Sequence, residues 1–84
     1  MGYDLICVKS AERVLAEMWI EADEPAAVTV ASNAIDKLLK TTPWQAGIGS
    51  AHQDRIVFEP PLGVVFSIDE GKRIVTITKY IYLG

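Results

Sequence analysis

The chain has 84 residues, half of them hydrophobic, and a formal net charge of −3. A chain of this length forms one domain, residues 1–84, around one core. Its acidic balance argues against strong binding to nucleic acid through phosphate neutralisation and leaves room for a local basic patch alone. No apolar run approaches the roughly 20 residues of a membrane span, and the N-terminus lacks the pattern of a signal peptide. We therefore expect a cytoplasmic protein with no membrane partner.

The sequence offers little that could hold a metal or a cofactor. It contains one cysteine, Cys7, and one histidine, His52, and neither has the paired spacing of a zinc site. The segment Gly47-Ile48-Gly49 lacks the Lys-Ser or Lys-Thr of a phosphate-binding loop. We therefore expect no metal and no cofactor, and we interpret Cys7, which lies in an apolar stretch, as a small buried hydrophobe.

The N-terminal half predicts a strand followed by two helices. The run Tyr3–Val8 is rich in apolar and β-branched residues, as in a strand, and Ser10 is a plausible N-cap. Apolar residues then recur at steps of three and four over 11–22, which predicts a helix with Trp19 on its core stripe. Pro25 favours the start of a second helix, which continues to about Lys40. Two helices joined so tightly form a helical hairpin.

The C-terminal half predicts a loop and three strands. Residues 41–53 contain Pro43 and two glycines and indicate a loop, in which Trp44 either caps the core or is exposed for contact. Three apolar runs follow, at 54–59, 62–68 and 74–83, separated by turn residues. The predicted fold class is α+β: an N-terminal strand, a helical hairpin, and a three-strand antiparallel meander.

Alternation along the last strand predicts which face is covered. One side carries Val75, Ile77, Ile81 and Leu83, with Lys79 interrupting, and we expect the helices to cover it. The other side carries Ile74, Thr76, Thr78, Tyr80 and Tyr82 and is the predicted working surface. Tyr80 and Tyr82 would there stack on a base or a protein partner, or serve as cross-strand packing.

A compact polar cluster precedes the second strand. His52, Gln53, Asp54 and Arg55 offer a base, an acid and a cation together, as general acid–base chemistry on a phosphodiester requires. The alternative is a loop that is simply solvated. Residue types alone leave both interpretations open.

Several segments resemble the RelE/ParE-like toxin superfamily, also called plasmid-stabilisation proteins. The stretch from Val64 to Ile77, VVFSIDEGKRIVTI, is similar to the terminal hairpin of that family. Thr42-Pro43 with Gly47 a few residues on resembles the link between its second helix and second strand, and Ala11, Leu15 and Trp19 resemble its first helix. The resemblance implies the component of a type II toxin–antitoxin module that acts through protein binding and is neutralised by a cognate antitoxin. It also implies a gyrase-like or ribosomal target.

The departures from the family pattern bear on activity. Gly63 stands where members commonly carry an arginine ahead of the Val-Val-Phe run, and Arg55 is the one basic residue of the second strand. Of the ribonuclease set, the resemblance carries over Arg55, Tyr80 and Tyr82 alone, as catalytic candidates. Two alternatives to the binding toxin stay open: an endoribonuclease of the RelE type that uses these residues, and a degenerate, non-toxic interaction domain. The acidic charge favours a protein that is not an enzyme.

Overall fold

A computed structural model describes residues 2–49 and 54–83. In chain order its strands are β1 (Asp4–Cys7), β2 (Ile48–Gly49), β3 (Arg55–Glu59), β4 (Leu62–Asp69) and β5 (Ile74–Tyr82), and its helices are α1 (Lys9–Glu21), α2 (Pro25–Thr41) and α3 (Pro43–Ala46). The strands form one five-stranded sheet in the order β1-β5-β4-β3-β2. The expected α+β class, with an N-terminal strand, a helical hairpin and an antiparallel meander, is confirmed.

The sheet is antiparallel except at one edge. The strands β3, β4 and β5 pair as successive antiparallel neighbours, and β1 pairs with β5 in parallel. A tight turn cannot join a parallel pair. The chain from β1 to β5 first crosses one side of the sheet as the helical hairpin and then returns through β2, β3 and β4. Among the described residues, the other side of the sheet therefore has no helical cover.

The core lies between the helical hairpin and the sheet. Its most deeply buried large side chains include Ile35 and Leu39 from α2 and Phe66 from β4, each fully excluded from solvent. The hairpin begins differently from the expectation, because α1 starts at Lys9 with Val8 as its N-cap and without a side-chain cap. The proposal that Ser10 is the N-cap is wrong. Trp19, expected in the core, is also placed wrongly, since it is 51% exposed.

A β-bulge in β5 reverses the expected faces of its second half. Phe66 pairs with Ile77, and the adjacent Val65 pairs with Lys79, so one extra residue, Thr78, is accommodated on β5. An extra residue of this kind shifts the alternation by one position. Tyr80 consequently lies on the helix-covered side with 6% exposure, and the prediction that it lies on the uncovered side is wrong.

The segment expected to be a long loop contains two short elements of secondary structure. The short helix α3 follows α2 directly, and β2 then adds an edge strand beside β3. His52 and Gln53, two members of the predicted polar cluster, lie outside the described residues. In the part of the chain that the structure describes, no helix is long and apolar enough to cross a bilayer.

Candidate functional site

One side of the sheet has no helix packed on it among the described residues, and we call it the open face. Strand alternation and register place the following residues on it: Asp4 and Ile6 of β1, Ile48 of β2, Ile56 and Phe58 of β3, Gly63, Val65, Ser67 and Asp69 of β4, and Ile74, Thr76, Lys79 and Ile81 of β5. An antiparallel sheet with one solvated face normally carries polar residues there. Half of this open face is instead apolar.

The apolar side chains are concentrated on one half of the open face. Register joins Ile48 to Ile56 and Ile56 to Val65 across neighbouring strands, and the next row contains Phe58 and Ile81 on either side of Gly63. We call these five apolar residues, Ile48, Ile56, Phe58, Val65 and Ile81, the apolar patch. Ile48 is 71% exposed and Phe58 is 50% exposed. Contiguous apolar surface of this kind usually marks an interaction site.

Gly63 is the residue that makes the centre of the apolar patch flat. A Cβ atom added at Gly63 would lie 3.1 Å from the Phe58 ring and 3.6 Å from Ile81. The Phe58 ring therefore extends over Gly63, and it occupies the space that a side chain at position 63 would need, an arrangement in which an aromatic covers a strand glycine. The position where the resemblance leads one to expect an arginine thus contributes to an apolar surface.

The charge on the open face is sparse. Within the described strands, Lys79 is the one basic residue whose side chain lies on this face, where it is paired in register with Val65. Asp4 and Asp69 lie at the far end of the face, each beside Ile74. A surface with one cation among carboxylates does not attract a phosphate backbone.

Arg55 does not lie on the open face. It shares the helix-covered side with Val57, and its Nη2 donates hydrogen bonds to the carbonyl oxygens of Trp44 and Gly47, each at 2.8 Å. The guanidinium also lies 5.5 Å from the centroid of the Trp44 ring, within the range of a cation–π contact. Arg55 therefore fastens the segment from α3 to β2 onto the sheet.

Tyr80 is enclosed between the sheet and the helices. Burial raises the pKa of its phenol well above the ordinary value, and the nearby Cys7 and Asp36 raise that pKa further. Burial likewise raises the pKa of the Cys7 thiol, so Cys7, which is only partly buried, is not an activated nucleophile. Both side chains are therefore neutral at physiological pH.

Tyr82 lies far from Arg55. It is 42% exposed and lines a cavity of about 270 Å³ beside the connection between α1 and α2, together with Asp23 and Glu24. In register, Tyr82 is opposite Leu62 and Arg55 is opposite Phe66, which puts them about 13 Å apart along β4 at about 3.3 Å per residue. The three catalytic candidates are therefore not brought together at one point.

A second polar feature, centred on Glu70, ties three parts of the chain together. The Tyr3 hydroxyl and the Trp44 indole N–H each donate to Glu70 Oε1 at 2.6 Å, and Arg73 Nη1 contacts Oε2 at 2.9 Å. The hydrogen bond from Tyr3, followed by that from Trp44, lowers the pKa of Glu70. The half-exposed Trp44 is thus held by Glu70 on one side and by Arg55 on the other.

Sequence reasoning overlooked the apolar patch and the Glu70 contacts. The signal for the patch was present in β3, where Ile56 and Phe58 occupy one face while Val57 occupies the other, so that both faces are apolar. The Glu70 contacts join residues that are far apart in the chain, and no local sequence pattern predicts them. Among the described residues, no group of three or more His, Cys, Asp or Glu side chains could hold a metal ion.

Two solved structures of known proteins share the fold of this chain. The chain is similar to a chain of the toxin–antitoxin complex RelBE2 from Mycobacterium tuberculosis, with a TM-score of 0.76, 16% identity, and coverage of 98% of this chain and 92% of that one. It is also similar to a chain of the archaeal RelE–RelB complex from Pyrococcus horikoshii OT3, with a TM-score of 0.69, 14% identity, and coverage of 100% and 98%. No protein-family model and no curated protein matches the sequence. The structure has a RelE-like fold, and this expectation is confirmed.

Proposed function

We propose that this chain, which has the RelE-like fold, is the toxin-like component of a type II toxin–antitoxin module. In this proposal it acts in the cytoplasm by binding a protein, and a cognate antitoxin neutralises it. The apolar patch on the open face is the observation that carries the proposal. Both structural relatives are toxin–antitoxin complexes, which supports the choice of module. The patch supports the choice of mechanism.

The composition of the open face favours a protein over an RNA as the target. Aromatic and aliphatic side chains at the centre of a surface are typical of protein interfaces, and a half-exposed aromatic such as Phe58 is the kind of residue that dominates their binding energy. RNA recognition needs cations for the phosphates, and the described part of the open face offers Lys79. The ribonuclease alternative would use Arg55 with Tyr80 or Tyr82. Arg55 is engaged in hydrogen bonds to the backbone, Tyr80 is buried, and Tyr82 lies about 13 Å from Arg55 along β4 at about 3.3 Å per residue.

The target and the antitoxin would compete for the same surface in the simplest form of this proposal. A gyrase-like enzyme or a ribosomal protein would present an apolar surface to Phe58 and its neighbours. An antitoxin segment that covers the open face would then block access to the target. Neutralisation by direct cover requires no conformational change in the toxin.

Inducible expression in a bacterial host tests the proposal. We expect the wild-type chain to arrest growth, and we expect Phe58→Asp to abolish the arrest, because a carboxylate in the centre of the patch would have to lose its hydration on binding. The matched control is Val30→Asp, which introduces the same charge at an apolar residue of α2 that is 68% exposed. Circular dichroism of both purified variants establishes that each is folded.

Two results would count against the proposal. Expression of the folded wild-type chain without any effect on growth would favour the non-toxic interaction domain. Arrest that persists undiminished in the folded Phe58→Asp variant would remove the apolar patch from the mechanism. Arrest by wild type and Val30→Asp, together with normal growth of Phe58→Asp cells, is the outcome that we expect.

A further inference from the structure

The edge strand β2 carries Ile48, the most exposed member of the apolar patch. This strand consists of two residues, and among the described strands it pairs with β3 alone. Ile48 is 71% exposed, so burial of its side chain contributes little to holding it in place. The position of Ile48 therefore depends on contacts that are made outside β2.

The position of Ile48 shapes a cavity in the apolar patch. The cavity has a volume of about 270 Å³, and its lining includes Ile48, Ile56 and Val65, which form one row across β2, β3 and β4. An apolar cavity beside an exposed aromatic residue such as Phe58 is the kind of pocket that an anchor residue of a protein partner fills. A displacement of Ile48 would open one wall of this cavity.

The segment that precedes β2 is tied to the rest of the fold through Trp44. The indole N–H of Trp44 donates a hydrogen bond of 2.6 Å to Glu70 Oε1, and its carbonyl oxygen accepts one of 2.8 Å from Arg55 Nη2. The same Nη2 donates to the carbonyl oxygen of Gly47, the residue directly before Ile48, at 2.8 Å. Trp44 thus connects β2, at one edge of the sheet, with the turn between β4 and β5 in which Glu70 lies.

The close packing of Gly47 transmits this constraint to Ile48. A Cβ atom at Gly47 would lie 2.6 Å from the carbonyl oxygen of Ile56 and 3.0 Å from the Phe66 ring, so the backbone there lies directly against β3 and the core. Closely packed groups transmit displacements to their neighbours. Because Trp44 and Gly47 are both held, the short segment between them has little freedom, and Ile48 follows it directly.

We propose that Trp44 is a positioning residue for the apolar patch. The hydrogen bond from its indole to Glu70 holds β2, so that Ile48 is in place before the target protein arrives. A side chain that is already ordered lowers the cost of binding. The inference rests on the proposed function, in which the apolar patch binds the target. It assigns Trp44, whose ring is 49% exposed, a role that requires no contact with the target.

Two variants remove the same kind of contact from opposite edges of the sheet. Trp44→Phe keeps an aromatic ring beside Arg55 and removes the N–H donor. Tyr3→Phe is the matched control, because it removes the other hydrogen bond of 2.6 Å to Glu70 Oε1, and Tyr3 precedes β1, at the edge of the sheet farthest from β2. Arg73 continues to hold the carboxylate in both variants. Only Trp44→Phe should release β2.

Nuclear magnetic resonance relaxation measures the order of β2 in the full chain. We expect a backbone order parameter of about 0.85 for Ile48 in wild type and in Tyr3→Phe, and a fall toward about 0.6 in Trp44→Phe. Glu70→Ala removes the acceptor and should lower the order parameter of Ile48 as Trp44→Phe does. The double variant should add no further loss, because the two side chains form one contact.

Growth measurements show whether the order of β2 matters for binding. The quantity to compare is the cellular amount of each chain that halves the growth rate, determined by quantitative immunoblotting. We expect Trp44→Phe and Glu70→Ala to require about three- to tenfold more protein than wild type, since one more side chain must be ordered on binding. Tyr3→Phe should require the same amount as wild type.

Four results would overturn the inference. The first two are an unchanged order parameter of Ile48 in Trp44→Phe, and an equal fall in Tyr3→Phe, which would indicate a general loss of stability. The third is a fall in order that leaves the growth measurements unchanged. The fourth is a weakened arrest in Trp44→Phe that Glu70→Ala does not share, which would mean that Trp44 contacts the target directly.

Failure of the proposed function is recognised separately. A folded wild-type chain that does not arrest growth would refute that function before any variant is compared. Arrest by wild type together with an unchanged order parameter of Ile48 in Trp44→Phe would refute the positioning role of Trp44 alone.

Discussion

Replacement of Arg55 by alanine separates a structural role from a catalytic one. The guanidinium makes two hydrogen bonds of 2.8 Å to the carbonyl oxygens of Trp44 and Gly47, and it stacks near the Trp44 ring. These contacts hold the segment from α3 to β2 against β3. We therefore expect Arg55→Ala to lower the free energy of unfolding.

The magnitude of that loss follows from the contacts. A hydrogen bond to a charged group contributes about 1.5 to 3 kcal/mol, and an exposed cation–π contact contributes about 0.5 to 1 kcal/mol. Two features reduce the net stabilisation by Arg55. Its Nε atom is buried with no hydrogen-bond partner among the described residues, and its hydrogen bond to Trp44 is exposed to solvent. We expect a loss of about 2 kcal/mol, which in a domain of this size lowers Tm by about 8 to 16 °C.

Thermal and urea unfolding followed by circular dichroism measure this change. Lys79→Ala is the matched control, because it removes an exposed cation from the open face and should alter stability by no more than about 0.5 kcal/mol. Arg55→Lys keeps the charge but loses the planar fork, and we expect an intermediate Tm. If Arg55→Ala melts within about 2 °C of wild type, the structural role assigned to this residue is wrong.

Three further changes probe the loop, the apolar patch and the Glu70 contacts. Gly47→Ala would place a Cβ atom 2.6 Å from a backbone oxygen of β3, so we expect a loss of about 2 kcal/mol in urea unfolding, and an unchanged midpoint would contradict the close approach. Gly63→Arg should displace the phenyl ring that covers it and abolish growth arrest while the chain still folds; arrest that survives would show that the patch is not required. The hydrogen bonds from Tyr3 and Trp44 hold the pKa of Glu70 below its ordinary value, so its contribution to stability is present above the unfolded pKa and is lost as pH falls through the folded pKa. From about pH 7 to about pH 3, the free energy of unfolding should therefore fall less in Glu70→Gln than in wild type. Equal falls in the two proteins, measured by urea unfolding, would show that the lowered pKa of Glu70 does not contribute to stability.

Much of the architecture is predictable because it rests on local signals. The steps of three and four over 11–22 and the proline at position 25 specify α1, α2 and the hairpin between them, and alternation with turn residues specifies the meander. Edge features were missed because they depend on contacts across the chain. The strand β2 is defined by its hydrogen bonds to β3. The residue after α3, Gly47, is held by a hydrogen bond from Arg55, which lies eight residues further along the chain.

The candidate site was only partly predictable, and the bulge at Thr78 explains the main error. Strict alternation assigns Tyr80 to the same face as Thr76, and one inserted residue sends it to the opposite face. No residue in this stretch of β5, such as a glycine, signals the bulge. The exposure of Trp19 was also not predictable, because a stripe of apolar residues predicts burial. The stripe does not distinguish a residue of the core from a residue that lines an exposed groove.

We propose that the open face acts by binding protein, and the integrity of cellular mRNA at the moment of growth arrest distinguishes this mechanism from cleavage. Sequencing of RNA 5′ ends should be done in cells that express the wild-type chain, with uninduced cells as the reference. We expect growth arrest with the same distribution of 5′ ends as in the uninduced cells. Rapid appearance of new cleavage sites within coding sequences would contradict it and would identify the chain as a ribonuclease.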